Sequence, residues 1–283
     1  MTKHIPVLLN DVLSVLGNIN GRTIVDCTFG AGGYSRAFLE RGAKVIAFDR
    51  DTNVIADAEK LKQEFGSRFK FINSAFSELK QLSSDDFDDV VFDLGISSMQ
   101  IDNGKRGFSF RFDGPLDMRM DNRITIDAAD LIQNTSVDKL ADILYLYGDI
   151  KKSRLLATIL KDKMPQSTFE LRDLIKNPKD IAPVFQALRI AVNDEMGQIE
   201  SALNSVHDLL RSGGRCLCVT FHSLEDRIVK NIFKQWTSVV GDPRLPEIIK
   251  PSYKMLKSVT PSKAELDNNQ RARSAHLRGV EKL

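Results

Sequence analysis

The first hundred residues alternate short apolar runs with segments of helical periodicity. β-Branched and aromatic runs predict strands, and apolar residues spaced by three and four predict helices. The predicted strands cover residues 23–27, 44–49, 69–73 and 89–94, and the predicted helices cover 7–16, 34–41 and 52–65. Strands that alternate with helices are typical of βαβ units, so this part of the chain predicts an α/β fold built on a parallel sheet.

The pattern changes after the fourth strand. Residues 95–121 are rich in Gly, Ser, Arg and Asp and show no sustained periodicity. We therefore predict a long loop, and loops of this length in compact domains tend to be functional. Residues 126–190 show helical patterns only, with helices predicted at about 136–147, 151–164 and 169–176.

The strand pattern then returns near the end of the chain. It predicts a helix over 196–210, a fifth strand over 215–221, a helix over 224–236, Pro-punctuated segments and a final strand over 275–280. A helical block between the fourth and fifth strands indicates an insertion into one sheet domain. We predict a core of residues 1–104 and 191–283 and a mostly helical insertion, for substrate recognition, of residues 105–190.

Composition narrows the class of protein. The chain has 283 residues, of which 42% are hydrophobic and 28% charged, as in soluble globular enzymes. It contains no apolar run long enough for a membrane span and no signal-peptide core, so we expect a cytoplasmic protein. The three cysteines lie in apolar strand patterns and are predicted to be core residues, with no metal site. The net charge of +2 says little about nucleic acid.

A glycine-rich turn follows the first strand. The segment DCTFGAGGYS, residues 26–35, lets the backbone approach a ligand at the carboxyl end of the strands. Ser35 stands where a dinucleotide fingerprint needs Gly or Ala, and S-adenosylmethionine, which has no phosphate, suits an acidic strand end better. Asp26 either faces the ammonium group of that cofactor or caps the turn. Asp49, which ends the second strand, is placed to accept hydrogen bonds from ribose hydroxyls.

Two further segments carry candidate chemistry. After Asp93, residues 106–121 mix arginines, which bind phosphate, with aromatic rings, which stack on bases. The alternative is that buried aromatics pin this loop. The fifth strand runs into His222, a possible general base, while Glu225 and Asp226 could cap the next helix. The arginines and aromatics of the loop and its flank are Arg106, Arg111, Arg119, Arg123, Phe108, Phe110 and Phe112.

These motifs together resemble the MraW family, the ribosomal RNA small-subunit methyltransferase H proteins, along nearly the whole chain. Six long motifs carry the resemblance. They are HIPVLL at 4–9, DCTFGAGGYS at 26–35, DLGISSMQID at 93–102 with RGFSFRFDGPLDMRMD at 106–121, FQALRIAVNDE at 185–195, GGRCLCVTFHSLEDRIVK at 213–230 and RARSAHLR at 271–278.

The resemblance implies a Rossmann-like class I S-adenosylmethionine-dependent methyltransferase with an inserted all-helical domain. It implies methyl transfer to the N4 amine of a cytidine in the decoding region of 16S rRNA, within the small ribosomal subunit and not on DNA or at a membrane. It leaves the oligomeric state open, a dimer included. The implied cofactor-binding residues are Gly32, Gly33, Tyr34, Asp49, Phe76, Asp93 and Gln100, and the catalytic candidates are Asp93 and His222.

Two other classes of function share some of these features. A nicotinamide-dependent oxidoreductase shares the glycine-rich turn and Asp49, although it leaves the arginine-rich loop unexplained. A non-catalytic RNA-binding assembly factor would keep that loop and lose the cofactor. Binding of S-adenosylmethionine discriminates against both.

Overall fold

A computed structural model of the chain describes residues 6–83, 87–239 and 251–283. The first two residues of the HIPVLL motif, His4 and Ile5, lie outside the described residues. The chain divides into two compact units. Unit 1 comprises Met1–Gly95 and Met196–Leu283, and unit 2 comprises Ile96–Glu195.

Unit 1 is built on a seven-stranded sheet with the strand order β3-β2-β1-β4-β5-β7-β6. Strands β1 to β5 are parallel, β7 runs antiparallel to β5, and β6 runs antiparallel to β7. This arrangement confirms the predicted α/β fold. The strands are β1 Thr23–Asp26, β2 Lys44–Phe48, β3 Phe69–Ile72, β4 Asp89–Asp93, β5 Arg215–Thr220, β6 Tyr253–Met255 and β7 His276–Lys282.

Helices cover both faces of this sheet. Side chains alternate between the two faces of a strand, so Ile24 packs in one core cluster and Val25 in the other. Helices α1, α2 and α3 pack into the first cluster, and helices α10 and α11 pack into the second. Burial on both faces explains the continuous apolar runs of the strands. These helices are α1 Leu9–Leu16, α2 Gly33–Glu40, α3 Ile55–Phe65, α10 Glu195–Leu209 and α11 Ser223–Trp236, followed by α12 Lys263–Asn268.

Two details of unit 1 differ from the sequence prediction. The helix predicted over 52–65 opens with a separate 3-10 turn, Thr52–Val54, because the side chain of Asp51 accepts a hydrogen bond from the backbone N–H of Asn53. The edge strand β6 was predicted only as a Pro-punctuated segment. It forms through backbone pairing with β7, in which Tyr253 lies opposite Lys282, and three residues are too few to show a period of two.

Unit 2 is helical, with a core of its own that includes Leu140, Leu144, Leu160 and Leu188. The prediction of a loop over 95–121 is wrong for one short helix, which a reciprocal capping box between Ser97 and Gln100 starts. The helices are α4 Ser98–Asp102, α5 Ala128–Asn134, α6 Val137–Gly148, α7 Ser153–Lys163, α8 Thr168–Leu174 and α9 Pro178–Asn193. Across the described parts of both units, no helix is long and apolar enough for a membrane crossing.

Candidate active site

The carboxyl ends of the parallel strands in unit 1 bring three carboxyl groups to one edge of the sheet. Asp26 ends β1, Asp49 follows β2, and Asp93 ends β4. Strands β1 and β4 are neighbours, but the chain leaves β1 towards β2 on the other side. Ligands of doubly wound sheets bind at such a switch point, so this edge is the candidate site.

The turn after β1 has a backbone that only glycine adopts easily. Gly30 and Gly32 have φ angles of 52° and 76°, in the left-handed region. The N–H of Gly32 closes the turn on the carbonyl of Phe29 at 2.7 Å. A Cβ atom at Gly33 would collide with the ring of Pro6. The structure therefore keeps backbone, and no side chain, at the start of α2.

The carboxylate of Asp49 ties this turn to the second strand. Its Oδ2 accepts a hydrogen bond from the N–H of Gly30 at 2.8 Å, and its Oδ1 accepts one from the N–H of Asp51 at 2.9 Å. Each carboxylate oxygen has two acceptor positions, so each can accept a further hydrogen bond. Asp49 is thus anchored and still able to bind a ligand hydroxyl.

Asp26 caps the turn, which was one of the two roles left open by the sequence. Its Oδ2 accepts from the hydroxyl of Ser35 at 2.6 Å and its Oδ1 from the N–H of Thr28 at 3.2 Å. The residue is only 1% exposed. Sequence reasoning missed Ser35 as its partner, although a Ser at the first turn of a helix is a common hydrogen-bonding residue.

Asp93 has an unusual environment at the end of β4. Its N–H donates to the hydroxyl of Thr28 at 2.7 Å, which fixes the backbone. Its Oδ1 is buried and accepts no hydrogen bond from any residue that the structure describes. A buried acceptor of this kind needs a donor, and a ligand amine or hydroxyl would supply one.

The three carboxyl groups make the site electronegative. Burial raises the pKa of Asp26 and of Asp49 to about 6. Burial, and then the charges of Asp26 and Glu225, raise the pKa of Asp93 well above its usual value. Clustered carboxylates favour a cationic ligand and oppose an anionic one. S-adenosylmethionine, which carries a sulfonium and an ammonium group, fits these residues, whereas the pyrophosphate of a nicotinamide dinucleotide does not.

The remaining predicted cofactor residues, Phe76, Tyr34 and Gln100, lie in three different surroundings. Phe76 follows β3 and begins a 3-10 helix, where its ring meets Phe92 edge-on with centroids 5.6 Å apart. The side chain of Tyr34 is buried, and its hydroxyl donates to the carbonyl of Val7, so only its backbone faces the turn. Gln100 belongs to unit 2, where its Oε1 accepts from the N–H of Ser97 at 3.0 Å.

His222 and Glu225 form the start of α11. Glu225 is 1% exposed, and its Oε2 accepts hydrogen bonds from the N–H groups of Phe221 at 2.8 Å and His222 at 3.2 Å. The Nε2 atom of His222 lies 3.0 Å from Glu225 Oε1. These two residues form the capping box of α11. Capping was predicted for Glu225 and Asp226, and the general-base role of His222 stays a prediction. Asp226 instead forms a two-point ion pair with Arg278, at 2.6 and 2.8 Å.

In unit 2, most arginines of the predicted RNA-binding loop bind the loop itself. Arg106 donates to the carbonyls of Arg119 and Met120 at 2.8 and 3.2 Å. Arg119 forms a two-point ion pair with Asp117, at 2.8 and 2.7 Å. Arg123 pairs with Asp121 at 2.8 Å. Arg111 is exposed, and no carboxylate of the described chain pairs with it.

The aromatic residues of this loop divide in the same way. Phe108 is buried, and Phe110 meets Phe185 of α9 edge-on with centroids 5.6 Å apart. Only Phe112 is largely exposed, at 47%. The alternative that aromatics pin the loop therefore describes two of the three rings, whereas Phe112, like Arg111, is exposed.

One positioning residue of this loop was missed from the sequence. Asn193, at the end of α9, accepts from the N–H of Met120 at 2.8 Å and donates to the carbonyl of Met118 at 2.7 Å. It is 3% exposed. Beside it, Arg189 forms a buried two-point ion pair with Glu195, at 2.7 and 2.9 Å. Polar residues within the apolar helix pattern over 185–195 were the available signal.

Two features define the class of protein. The last strand of the chain, β7, runs antiparallel to β5, and acidic residues end the parallel strands beside a glycine-rich turn. The chain is a Rossmann-like class I methyltransferase with an inserted helical unit, and its cofactor is S-adenosylmethionine.

Comparison with known proteins gives the family. The family model described as the MraW methylase family matches residues 1–283, and the chain belongs to that family. A protein of Chelativorans sp. (strain BNC1), named ribosomal RNA small subunit methyltransferase H, is 44% identical and is aligned over 98% of this chain and 86% of its own length. A protein of the same name from Rickettsia bellii (strain RML369-C) is 43% identical over 99% of both chains.

Among solved structures, similarity is lower. The structure of an rRNA methylase from Streptococcus thermophilus aligns with all of this chain and 99% of its own, with 14% sequence identity and a TM-score of 0.46. At this level the pairing says nothing about substrate.

Proposed function

We propose that this protein transfers the methyl group of S-adenosylmethionine to the N4 amine of a cytidine in the decoding region of 16S rRNA, within the small ribosomal subunit. The buried Asp93 at the end of β4, with an acceptor oxygen that no described residue uses, is the observation that carries this proposal. Full-length membership of a methylase family whose relatives are named as ribosomal RNA methyltransferases supports the substrate class.

The cofactor supplies an electrophilic methyl group on a sulfonium centre. We assign to Asp49 the hydrogen bonds from the ribose hydroxyls of the cofactor. The backbone of Gly32, Gly33 and Tyr34 would lie against the cofactor, and the ring of Phe76 would lie beside its adenine. Gln100, which belongs to unit 2, stays a cofactor residue implied by the family resemblance alone. Each of these roles uses an atom that the fold fixes, such as the Asp49 oxygens that also hold Gly30 and Asp51.

The protein must position a weak nucleophile. The lone pair of a cytosine amine is delocalised into the ring, so holding the amine in line with the methyl group contributes most of the acceleration. We assign to Asp93 Oδ1 a hydrogen bond from the N4 amine, which favours the geometry needed for attack. His222, which contacts Glu225 at the start of α11, shapes the pocket for the base as a positioning residue. The helical unit, with Arg111 and Phe112 exposed, contacts the RNA.

Methyl transfer to small subunits that lack the modification tests this proposal. The protein is incubated with radiolabelled S-adenosylmethionine and such subunits, and the RNA is digested to nucleosides. We expect N4-methylcytidine from the native protein and at least a hundredfold slower transfer by Asp93→Ala. Asp57→Ala, on the outer surface of α3, is the matched control and should transfer at the native rate. Label on another nucleoside, or full activity of Asp93→Ala, would contradict the proposal.

A further inference from the structure

The exposed face of α11 carries positive charge, and the carboxylate one turn before Lys230, that of Asp226, is already paired with Arg278. From Arg227 to Val239 the sequence contains no Asp or Glu. Lys230 and Lys234 lie one helical turn apart, about 6 Å along the axis, and both are exposed. Within the described chain neither lysine has a carboxylate partner, whereas Lys60 of α3 pairs with Asp57 at 2.6 Å.

Two adjoining concavities run along this face, and we call them together the α11 groove. The first is lined by Lys230 and Lys234, by Met255, Leu256 and Ser258 beside the edge of the sheet, and by Arg278 and Gly279 of β7. The second is lined by Asn231, Lys234, Gln235 and Ser238. Lys234 lines both concavities.

The chemistry of the α11 groove is that of hydrogen-bond donors and cations. Its polar lining consists of lysine, arginine, asparagine, glutamine and serine side chains, and among the described residues no carboxylate lines it. Arg278 already neutralises Asp226 through its two-point ion pair, so the free cations are the two lysines. A row of cations and neutral donors matches a chain of phosphates and sugar hydroxyls, which are bound without regard to base sequence.

We propose that the α11 groove binds the phosphodiester backbone of the RNA substrate, outside the site where the methyl group is transferred. This inference rests on the proposed function, because that function supplies an RNA partner. In a chain with a net charge of only +2, this groove concentrates positive charge in one place, because the carboxylate of Asp226 beside it is paired with Arg278 and the two lysines have no carboxylate partner among the described residues.

Charge reversal of the two lysines tests the inference. The double variant Lys230→Glu/Lys234→Glu is compared with Lys44→Glu/Lys70→Glu, which makes the same charge change on exposed residues of β2 and β3 at the opposite end of the sheet. Dissociation constants for a 16S rRNA fragment are measured from 50 to 300 mM salt. Affinity for S-adenosylmethionine is measured in parallel and should be native in both variants.

We expect the groove variant to bind the fragment on the order of tenfold more weakly at low salt, with a salt slope smaller by about 1.4, since each contact to single-stranded phosphate contributes about 0.7. The control pair should lose much less. Equal losses in the two variants would overturn the inference. Native binding of naked RNA, with loss only on assembled subunits, would also overturn it, because the groove would then contact a ribosomal protein.

The native protein separates failure of this inference from failure of the proposed function. If the native chain neither binds nor methylates the RNA, the proposed function fails, and the groove inference fails with it. If the native chain methylates the RNA and the groove variant does so with unchanged affinity and salt slope, only the groove inference fails.

Discussion

Replacement of Asp49 by asparagine should weaken cofactor binding through a change of one atom. The carboxylate accepts from the N–H of Gly30 and the N–H of Asp51 through different oxygens. An amide has only one acceptor oxygen, and its NH2 group would face one of these two donors. The variant therefore loses either the bond that holds the glycine-rich turn or the bond that holds the start of the next 3-10 turn.

The magnitude follows from the type of hydrogen bond. A hydrogen bond to a charged group contributes about 1.5–3 kcal/mol, so loss of the ionised acceptor for a ribose hydroxyl predicts roughly tenfold to hundredfold weaker binding. Asp57→Asn is the matched control. Asp57 lies on α3, where it pairs with Lys60, so its replacement should leave affinity unchanged. Isothermal titration with S-adenosylmethionine measures both variants.

The pH dependence of binding provides a second readout for Asp49. Burial raises the pKa of Asp49 to about 6 in the free protein. Ribose donors favour the ionised form, so binding lowers this pKa and releases a proton below pH 6. Native affinity should be constant above pH 6 and fall by up to tenfold per pH unit below it. Asp49→Asn should show a flatter profile. Native-like affinity of the variant at pH 7.5, or an identical acid profile, would refute this reasoning.

Three further changes have defined outcomes. Asp26→Asn should keep both contacts, because the amide oxygen accepts from the N–H of Thr28 while the amide NH2 donates to the hydroxyl of Ser35. It removes a carboxyl whose pKa is raised to about 6 from 3.8, so the roughly 3 kcal/mol of stability that the native protein loses as the pH rises from 4 to 6 should shrink, as measured by urea unfolding at pH 4.5 and 7.5. Gly33→Ala should cost about 1–3 kcal/mol in the same assay, because its Cβ meets Pro6. Asn193→Ala should cost about 3 kcal/mol and raise the KM for RNA more than it lowers kcat; an unchanged KM would contradict the positioning role.

Much of the fold of unit 1 was predictable because its strands are buried on both faces. Strands β1 to β5 start where the apolar runs start, and each ends one residue before the predicted end. Glycine also carried local information, since the helix predicted to end at Gly17 does so with a φ angle of 69°. The equally short strands β1 to β4 were predictable from their runs of β-branched and aromatic residues, whereas α4 (SMQID) and β6 (YKM) lack such a run and escaped prediction.

The sequence by itself determined which residues meet at the site edge. Parallel strands end at the same edge of a sheet, so Asp49 and Asp93 had to share that edge once the strands were predicted. The strand order, with β1 between β2 and β4, came from the structure. It also determined the family, since long motifs are spread along nearly the whole chain.

Only the tertiary structure decided what these side chains do. The hydroxyl of Thr28 reaches the backbone of Asp93 across 65 positions, and Asn193 holds Met118 across 75. Periodicity reports which face of an element is buried, but it carries no information about the partner of a polar group, which depends on the packing of distant segments. For that reason Asp26 emerged as a cap of the turn, and most of the predicted RNA-binding arginines emerged as supports of their own loop.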